Sequence, residues 1–273
     1  MKAKWVIEED AFPEDEEPLF AALKKQGIEY KVVKYQHSWE TCVECYPGED
    51  CVVFYGSLGL GKKLRRYAQW IPGVYYNIHK FECTSYYAAL GKYLLNGNYV
   101  MLPFGELHRQ KEFLFEHLSG DRAIFLRPNR GDKIFTGKVI YKEKYDTDID
   151  NYGFGQIDPS EIVVAAEPIN LQAEWRFVVV EGKVITGSQY RENERVAIDA
   201  GYPPEAFQFA EKIAKEYNPD PCWVIDVCLT KSGIYALMEV GCFSCAGLYK
   251  CDRDIIATEV SKAAFAEWET YQC

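Results

Sequence analysis

No apolar run in this chain approaches the ~18 residues needed to cross a bilayer, and the N-terminal stretch MKAKWVIEED meets charge almost at once. Both facts argue against a membrane span and a signal peptide. The reading is a soluble, cytoplasmic protein. Positive charge is in deficit: 31 Lys and Arg face 41 Asp and Glu, a formal net charge of −10. Bulk electrostatics therefore weigh against duplex nucleic acid as a partner, though a local basic site is not excluded. Histidine is scarce. His37, His79, His108 and His117 form no ligand-spaced set, and no Ser-His-Asp or Cys-His arrangement stands out.

Cysteine is not scarce, but the ten present lack the spacing of a secreted disulfide framework. Two Cys-x-x-Cys pairs, Cys42/Cys45 and Cys242/Cys245, could together hold zinc. They lie in unlike contexts, so reduced, partly buried thiols are the default expectation. With 273 residues, 48% of them hydrophobic and 15% aromatic, the chain can bury one large core or two to three small ones.

The first 80 residues alternate strand and helix. KWVIE (4–8), EYKVVKY (29–35) and the unbroken apolar CVVFY (51–55) read as strands. Residues 18–26 read as a helix closed by Gly27, and residues 58–70 as a second helix. Pro72-Gly73 predicts a turn before a fourth strand at 74–76. This is the size of half a Rossmann-like unit. Gly56, Gly61 and Lys62 match the spacing of a phosphate loop, but Lys63 stands where Ser or Thr should hold magnesium. Glycines in a strand-to-helix turn are common for backbone reasons alone, so this match is set aside.

Further on, residues 81–95 and 106–118 read as helices and 99–104 as a strand. AIFL (123–126) is a strand that delivers Arg127-Pro128, with Lys133 in the polar turn before a partner strand at 134–141. Residues 143–160, rich in acids and glycine, read as a connector or lid. EIVVAA (161–166) is a buried strand ending in Glu167-Pro168-Ile169. EWRFVVV (174–180) and KVITGSQY (183–190) form a hairpin, residues 203–217 a helix, and Asp252 or Asp254 a cap for a last helix.

The most informative stretch runs from Trp223 to Tyr249. WVIDVCL and IYALMEV flank Lys-Ser-Gly and read as a β-hairpin, each strand carrying one acid. A two-residue Ser232-Gly233 loop sets Lys231 against Ile234 and, counting outward, Asp226 against Glu239. Like charges opposed across a strand pair are destabilising, and a divalent cation held by both carboxylates resolves the conflict. Oxygen ligands point to magnesium. A three-residue loop would shift the register by one. The plain alternative is two acids on a solvated face.

This order of motifs resembles the ATP-grasp superfamily. FLRP with its following Gly/Lys loop, VVAAEPI, EWRFVV, and IDV followed by MEVG and AGLY carry the likeness over residues 100–265. It looks closest to a bacterial and phage clade in which arginine stands where most members have a phosphate-binding lysine. The resemblance implies an α/β protein with α+β lobes. An N-terminal Rossmann-like pre-ATP-grasp domain (1–80) would precede an ATP-grasp domain (81–273, lobes 81–165 and 166–273). It implies ATP and Mg2+ as cofactors. Arg127 matches the residue that contacts the α/β-phosphates, and Lys133 would lie over them. Glu167, Pro168 and Ile169 match the hinge whose backbone reads adenine. Glu174 matches the acid that accepts from ribose hydroxyls, and Arg176 lies on the same strand face. Asp226 and Glu239 match the magnesium carboxylates. Tyr190-Arg191 could hold the γ-phosphate or an acyl phosphate. Gly241 departs from the pattern, which usually has Asn there as a further metal ligand.

The implied activity is an ATP-dependent carboxylate–amine ligase acting on a small-molecule or peptide substrate through an acyl phosphate. The alternatives are a nucleotide-binding module without ligase activity, and a kinase or ligase acting on RNA or protein ends. A homodimer is left open.

Overall fold

The computed structural model describes residues 3–35, 45–118, 122–132, 134–153 and 157–272. The chain divides into two compact units, residues 78–170 and residues 1–77 together with 171–273.

The larger unit begins with a parallel sheet. Strands β1 (Lys4–Glu8), β2 (Tyr30–Val33), β3 (Cys51–Tyr55) and β4 (Ile71–Gly73) take the order β2-β1-β3-β4. Helix α1 (Pro13–Gln26) and helix α2 (Leu58–Tyr67) connect them. Gly27 ends α1 in the left-handed region, as a glycine stop should. One expectation is corrected: β4 runs through Pro72-Gly73 rather than starting after them. Pro72 is tolerated because β4 is the edge strand.

A second, antiparallel sheet completes this unit. Its order is β11-β10-β9-β12-β13, from β9 (Leu171–Val180), β10 (Lys183–Glu192), β11 (Arg195–Ala200), β12 (Cys222–Thr230) and β13 (Tyr235–Cys242). Helix α6 (Pro204–Glu216) and helix α7 (Arg253–Gln272) accompany it. Asp252 accepts from the Ile255 N–H at 3.0 Å and so starts α7, as expected. Strand β11 has no counterpart in the sequence reading. Val178, Val180, Cys222 and Val224 lie in one buried core with Trp5, Val53, Phe243 and the α7 residues Ile256 and Val260.

A buried ion pair joins the two ends of the chain in this unit. Asp15 on α1 accepts from the Tyr55 hydroxyl at 2.6 Å and the Leu248 N–H at 2.7 Å, and it pairs with Arg253 on α7. Tyr55 also donates to the Ala246 carbonyl at 2.9 Å. The segment Ala246–Tyr249 is thereby pinned from beneath.

The smaller unit holds the sheet β5-β8-β6-β7, from β5 (Tyr99–Pro103), β6 (Ala123–Pro128), β7 (Lys138–Tyr141) and β8 (Ile162–Ala166). Helices α3 (Cys83–Leu90), α4 (Lys111–Leu118) and α5 (Tyr145–Gly153) belong to it. Here the lid expectation is corrected. Tyr145 and Ile149, one helical turn apart, are buried with Phe115 and Ile140, so half of that segment, Tyr145–Gly153, is packed helix. The expected strand at 134–141 shortens to 138–141, and the two helices expected at 81–95 and 106–118 shorten to α3 and α4. Among the described residues, no helix is long and apolar enough to cross a membrane.

Candidate functional site

Alternation along β9 puts Glu174, Arg176 and Val178 on one face of its sheet. Register then adds their neighbours. Arg176 lies opposite Asp226 on β12 and Ser188 on β10, and Glu174 lies opposite Cys228 and Arg191. Asp226 in turn faces Glu239 on β13. One sheet face is therefore apolar at one end, where Val178 and Val224 enter the core, and charged at the other.

The facing of Asp226 and Glu239 agrees with the sequence reading, but the route to it differs. The turn is Lys231-Ser232-Gly233, closed by Thr230 and Ile234, with Gly233 at φ +83°. That three-residue loop sets Leu229 against Tyr235, one residue out of the expected register. A bulge between Val227↔Leu237 and Asp226↔Glu239 restores the count. Both acids thus face each other because two single-residue shifts cancel.

Arg176 and Asp226 form a bidentate pair, Nε to Oδ1 at 2.8 Å and Nη2 to Oδ2 at 2.7 Å, with both residues buried. The remaining Arg176 nitrogen, Nη1, donates to the Gly247 carbonyl at 3.0 Å. Its guanidinium lies 5.8 Å from the Tyr190 ring and 5.2 Å from the Tyr249 ring, which stack at 4.9 Å. Burial alone would lower the Arg176 pKa, but the charge and hydrogen bonds of Asp226 outweigh it and hold the group well above its ordinary range. Burial raises the Glu174 carboxyl, against the pull of Tyr190 and Arg191, and the Asp226 charge adds to the rise. Arg191, about half exposed, reaches Glu174 at 3.5 Å. Tyr249 adopts φ +53°, unusual for a bulky residue, and this brings its ring onto Tyr190.

Can this end of the sheet hold magnesium? Among the described residues no group of three or more His, Cys, Asp or Glu is arranged to hold a metal ion. Two facing carboxylates nonetheless match a cation that keeps waters and takes phosphate oxygens as its other ligands. Each Asp226 oxygen accepts one Arg176 N–H, and a carboxylate oxygen can take more than one partner. Gly241 lies opposite Val224, and a Cβ there would come within 3.2 Å of Val224 Cγ2. The residues fit magnesium bound together with a triphosphate rather than in an all-protein cage.

The other expected residues lie in the smaller unit. Arg127 sits half-buried near the end of β6, opposite Val164 on β8. Burial raises the Tyr87 hydroxyl, and the Arg127 charge acts against that rise. Glu167 follows β8 and is exposed; its N–H donates to the Asn98 carbonyl at 3.3 Å and its carbonyl accepts from Asn96 at 3.2 Å. Pro168 is half-buried and Ile169 exposed. Lys133 and Cys42 lie outside the described residues.

The phosphate-loop lookalike is filled by the protein itself. Ser57 donates its N–H to Glu8 Oε2 at 2.6 Å, and a Cβ on Gly56 would fall 2.5 Å from Glu8 Cβ. A carboxylate thus occupies the start of α2, where a phosphate would bind.

Residues 111–258 match the family model described as ATP-grasp domain, R2K clade family 2. This chain belongs to the ATP-grasp family. The match covers more than half of the chain and includes every site residue discussed above except Glu8, Asp15 and the other residues outside 111–258. No curated protein matches the chain by sequence. Among solved structures, D-alanine–D-alanine ligase from Bacillus anthracis complexed with ATP is similar at 13% identity, TM-score 0.66, over 98% of each chain. D-cycloserine synthetase DcsG is similar at 14% identity, TM-score 0.62, over 96% of this chain and 99% of that one. The ATP-grasp ligase PsnB complexed with a minimal precursor is similar at 13%, TM-score 0.60, over 98% and 100%. At these identities the likeness is one of fold. Two contributors to the site were missed in the sequence reading. Tyr249 lay in the AGLY motif but carried no role, and Asp15 lies 238 residues from its partner Arg253.

Proposed function

We propose that this ATP-grasp protein is an ATP-dependent carboxylate–amine ligase working through an acyl phosphate. The observation that carries the reading is the facing of Asp226 and Glu239 beside the buried Arg176. The similarity in fold to D-alanine–D-alanine ligase and D-cycloserine synthetase supports it. PsnB, complexed with a precursor peptide, keeps a peptide in view as an alternative substrate to a small molecule.

Asp226 and Glu239 are the residues that would hold magnesium, which when bound neutralises triphosphate charge. Arg127 would take phosphate oxygens through a bidentate fork and Lys133 through a point charge. Glu174 would accept from ribose hydroxyls. Glu167, Pro168 and Ile169 would read the adenine edge, chiefly through residues 168 and 169, since the Glu167 N–H and carbonyl already have partners. Arg191 and Tyr190 would steady the γ-phosphate. Residues 1–80 would serve as the pre-ATP-grasp domain and the reaction would run in the cytoplasm.

In the reaction, a substrate carboxylate oxygen attacks the γ-phosphorus and the bond to ADP breaks. An amine then attacks the acyl carbon, loses a proton to solvent and expels phosphate. No protein nucleophile is needed, because positioning and charge stabilisation suffice. The test is substrate-blind in its readout. A panel of carboxylates with ATP, magnesium and hydroxylamine should yield ADP and a hydroxamate for at least one member. ADP with a stable phosphorylated product would identify a kinase instead. One observation favours a second reading: Gly241 supplies no oxygen where the family usually offers Asn, and a binding module would release no ADP with any member.

A further inference from the structure

Two Cys-x-x-Cys pairs were candidates for one zinc site, and the fold sets them toward opposite ends of the parallel sheet. Cys45 precedes Tyr46, whose ring lies 5.0 Å from Lys4 Nζ at the start of β1 and whose carbonyl accepts from Trp70, just ahead of β4. Cys245 lies beyond the other end. Its thiol donates to the Ser57 carbonyl at 3.6 Å and feels the charge of Glu8, the last residue of β1. Those two ends of β1 are roughly 13 Å apart at the usual strand rise. Among the described residues no group of three or more His, Cys, Asp or Glu is arranged to hold a metal ion. Cys242 and Cys245 are therefore left as a pair.

The fold holds that pair together. Cys242 ends β13, and a single 3-10 turn, Phe243–Cys245, follows it. So tight a turn brings residues three apart onto one side. The two thiols meet there, sharing a side-chain hydrogen bond. The residues between them are fixed. Phe243 is fully buried, with its ring 6.2 Å from that of Trp5 and 6.0 Å from that of Tyr55. Ser244 is fully buried too; its Oγ accepts from the Tyr75 N–H at 2.9 Å and its carbonyl from the Gly56 N–H at 2.9 Å. Gly61 makes room for the sulfur, since a Cβ there would fall 2.9 Å from Cys245 Sγ. Both cysteines are free thiols, Cys242 buried and Cys245 partly open.

We propose that Cys242 and Cys245 are a redox-active pair that closes to an internal disulfide by exchange with a low-molecular-weight disulfide such as glutathione disulfide. The Cys245 thiol, the more open of the two, gives its proton to solvent. Its sulfur then attacks one sulfur of the reagent, whose S–S bond breaks and releases a thiolate. Cys242 loses its proton in turn and displaces the second thiolate from Cys245. One S–S bond has formed and one has broken. The two cysteines have given up two electrons and two protons, and the reagent leaves as two thiols. The Cys242 hydrogen bond, burial and the Glu8 charge raise the Cys245 thiol, and the Lys62 charge only partly opposes them. Exchange is therefore slow at neutral pH and quickens in mild alkali, where the thiolate is more plentiful. This inference is independent of the ligase reading.

The test equilibrates the full chain, folded and in urea, with glutathione and glutathione disulfide in a series of ratios at about pH 8. After acid quench and alkylation with N-ethylmaleimide, trypsin releases residues 232–250, a peptide with no cysteine besides these two. In the folded chain this peptide should become lighter by two hydrogens and carry no alkyl group. Half-conversion should need at least tenfold less glutathione disulfide folded than in urea, because the turn raises the effective concentration of one thiol at the other. Equal half-conversion in both states, or a folded pair still alkylated at the highest ratio, overturns the proposal. So does a lasting mixed disulfide of glutathione with Cys245 in the wild type, since it would show that Cys242 does not reach it. Cys242→Ser should trap that mixed disulfide on Cys245, whereas Cys245→Ser should leave Cys242 free of glutathione; the reverse pattern rejects Cys245 as the attacking thiol. Should either variant fail to fold, the wild-type comparison decides alone.

Discussion

Two buried Arg–Asp pairs lie in the larger unit, and they differ in what surrounds them. Asp15 meets Arg253, the Tyr55 hydroxyl and the Leu248 N–H, so its acceptors face donors on every side. Asp226 holds Arg176 in a bidentate pair, with Glu239 across the strand pair and Glu174 close enough for its pKa to feel the charge. The first pair is neutral and closed. The second has two further carboxylates beside it, Glu239 and Glu174. The same residue types thus make a fastening in one place and, in the other, the site proposed to take a cation. Residues 246–249 join them, tied to Asp15 through Leu248 and to Arg176 through the Gly247 carbonyl.

The largest effect should come from breaking the closed pair. Asp15→Ala leaves Arg253, 7% exposed, without its carboxylate, and a guanidinium cannot shed its charge. A loss of about 3–5 kcal/mol is expected in urea unfolding. Arg176→Met should cost less in the same assay, about 2 kcal/mol, because Asp226 can take up a proton once its partner is gone. Equal losses would show that the contrast between the two pairs is illusory.

Much of the charged site was legible because its residues sit in short motifs with strong strand character. WVIDVCL and IYALMEV declare a hairpin, and an acid amid apolar neighbours is conspicuous. The register was not fully legible. A three-residue turn and a bulge each move the count by one, and neither has a distinct sequence mark beyond Gly233. The helix α5 was hidden by its acids: Tyr145, Ile149 and Tyr152 face the core at helical spacing, but Asp146, Asp148 and Asp150 interrupt them in so short a stretch that the period does not stand out. Asp15 and Arg253 were beyond reach for another reason. Pairing across 238 residues is a product of the fold and leaves no local trace. The P-loop lookalike shows the converse, since its glycine is explained by Glu8 rather than by a ligand.

A smaller effect sharpens the comparison through pH. The raised Glu174 carboxyl is easier to protonate in the folded state than unfolded, so its contribution favours folding at low pH and is lost as pH rises through the folded value. Glu174→Gln removes that penalty. Relative to the wild type, the variant should gain Tm between pH 4.5 and 7, by a few degrees at most. A difference that shrinks over this range would contradict the environment described for Glu174.

The central claim is that Asp226 and Glu239 form a cation site for a nucleotide. Its most direct test is calorimetric titration of ATP, with and without magnesium, into the wild type and into the double variant Asp226→Asn with Glu239→Gln. Magnesium-dependent binding that disappears in a folded double variant is the predicted result. Wild-type protein that binds no nucleotide, or a double variant that binds magnesium–ATP as well as the wild type, would contradict it.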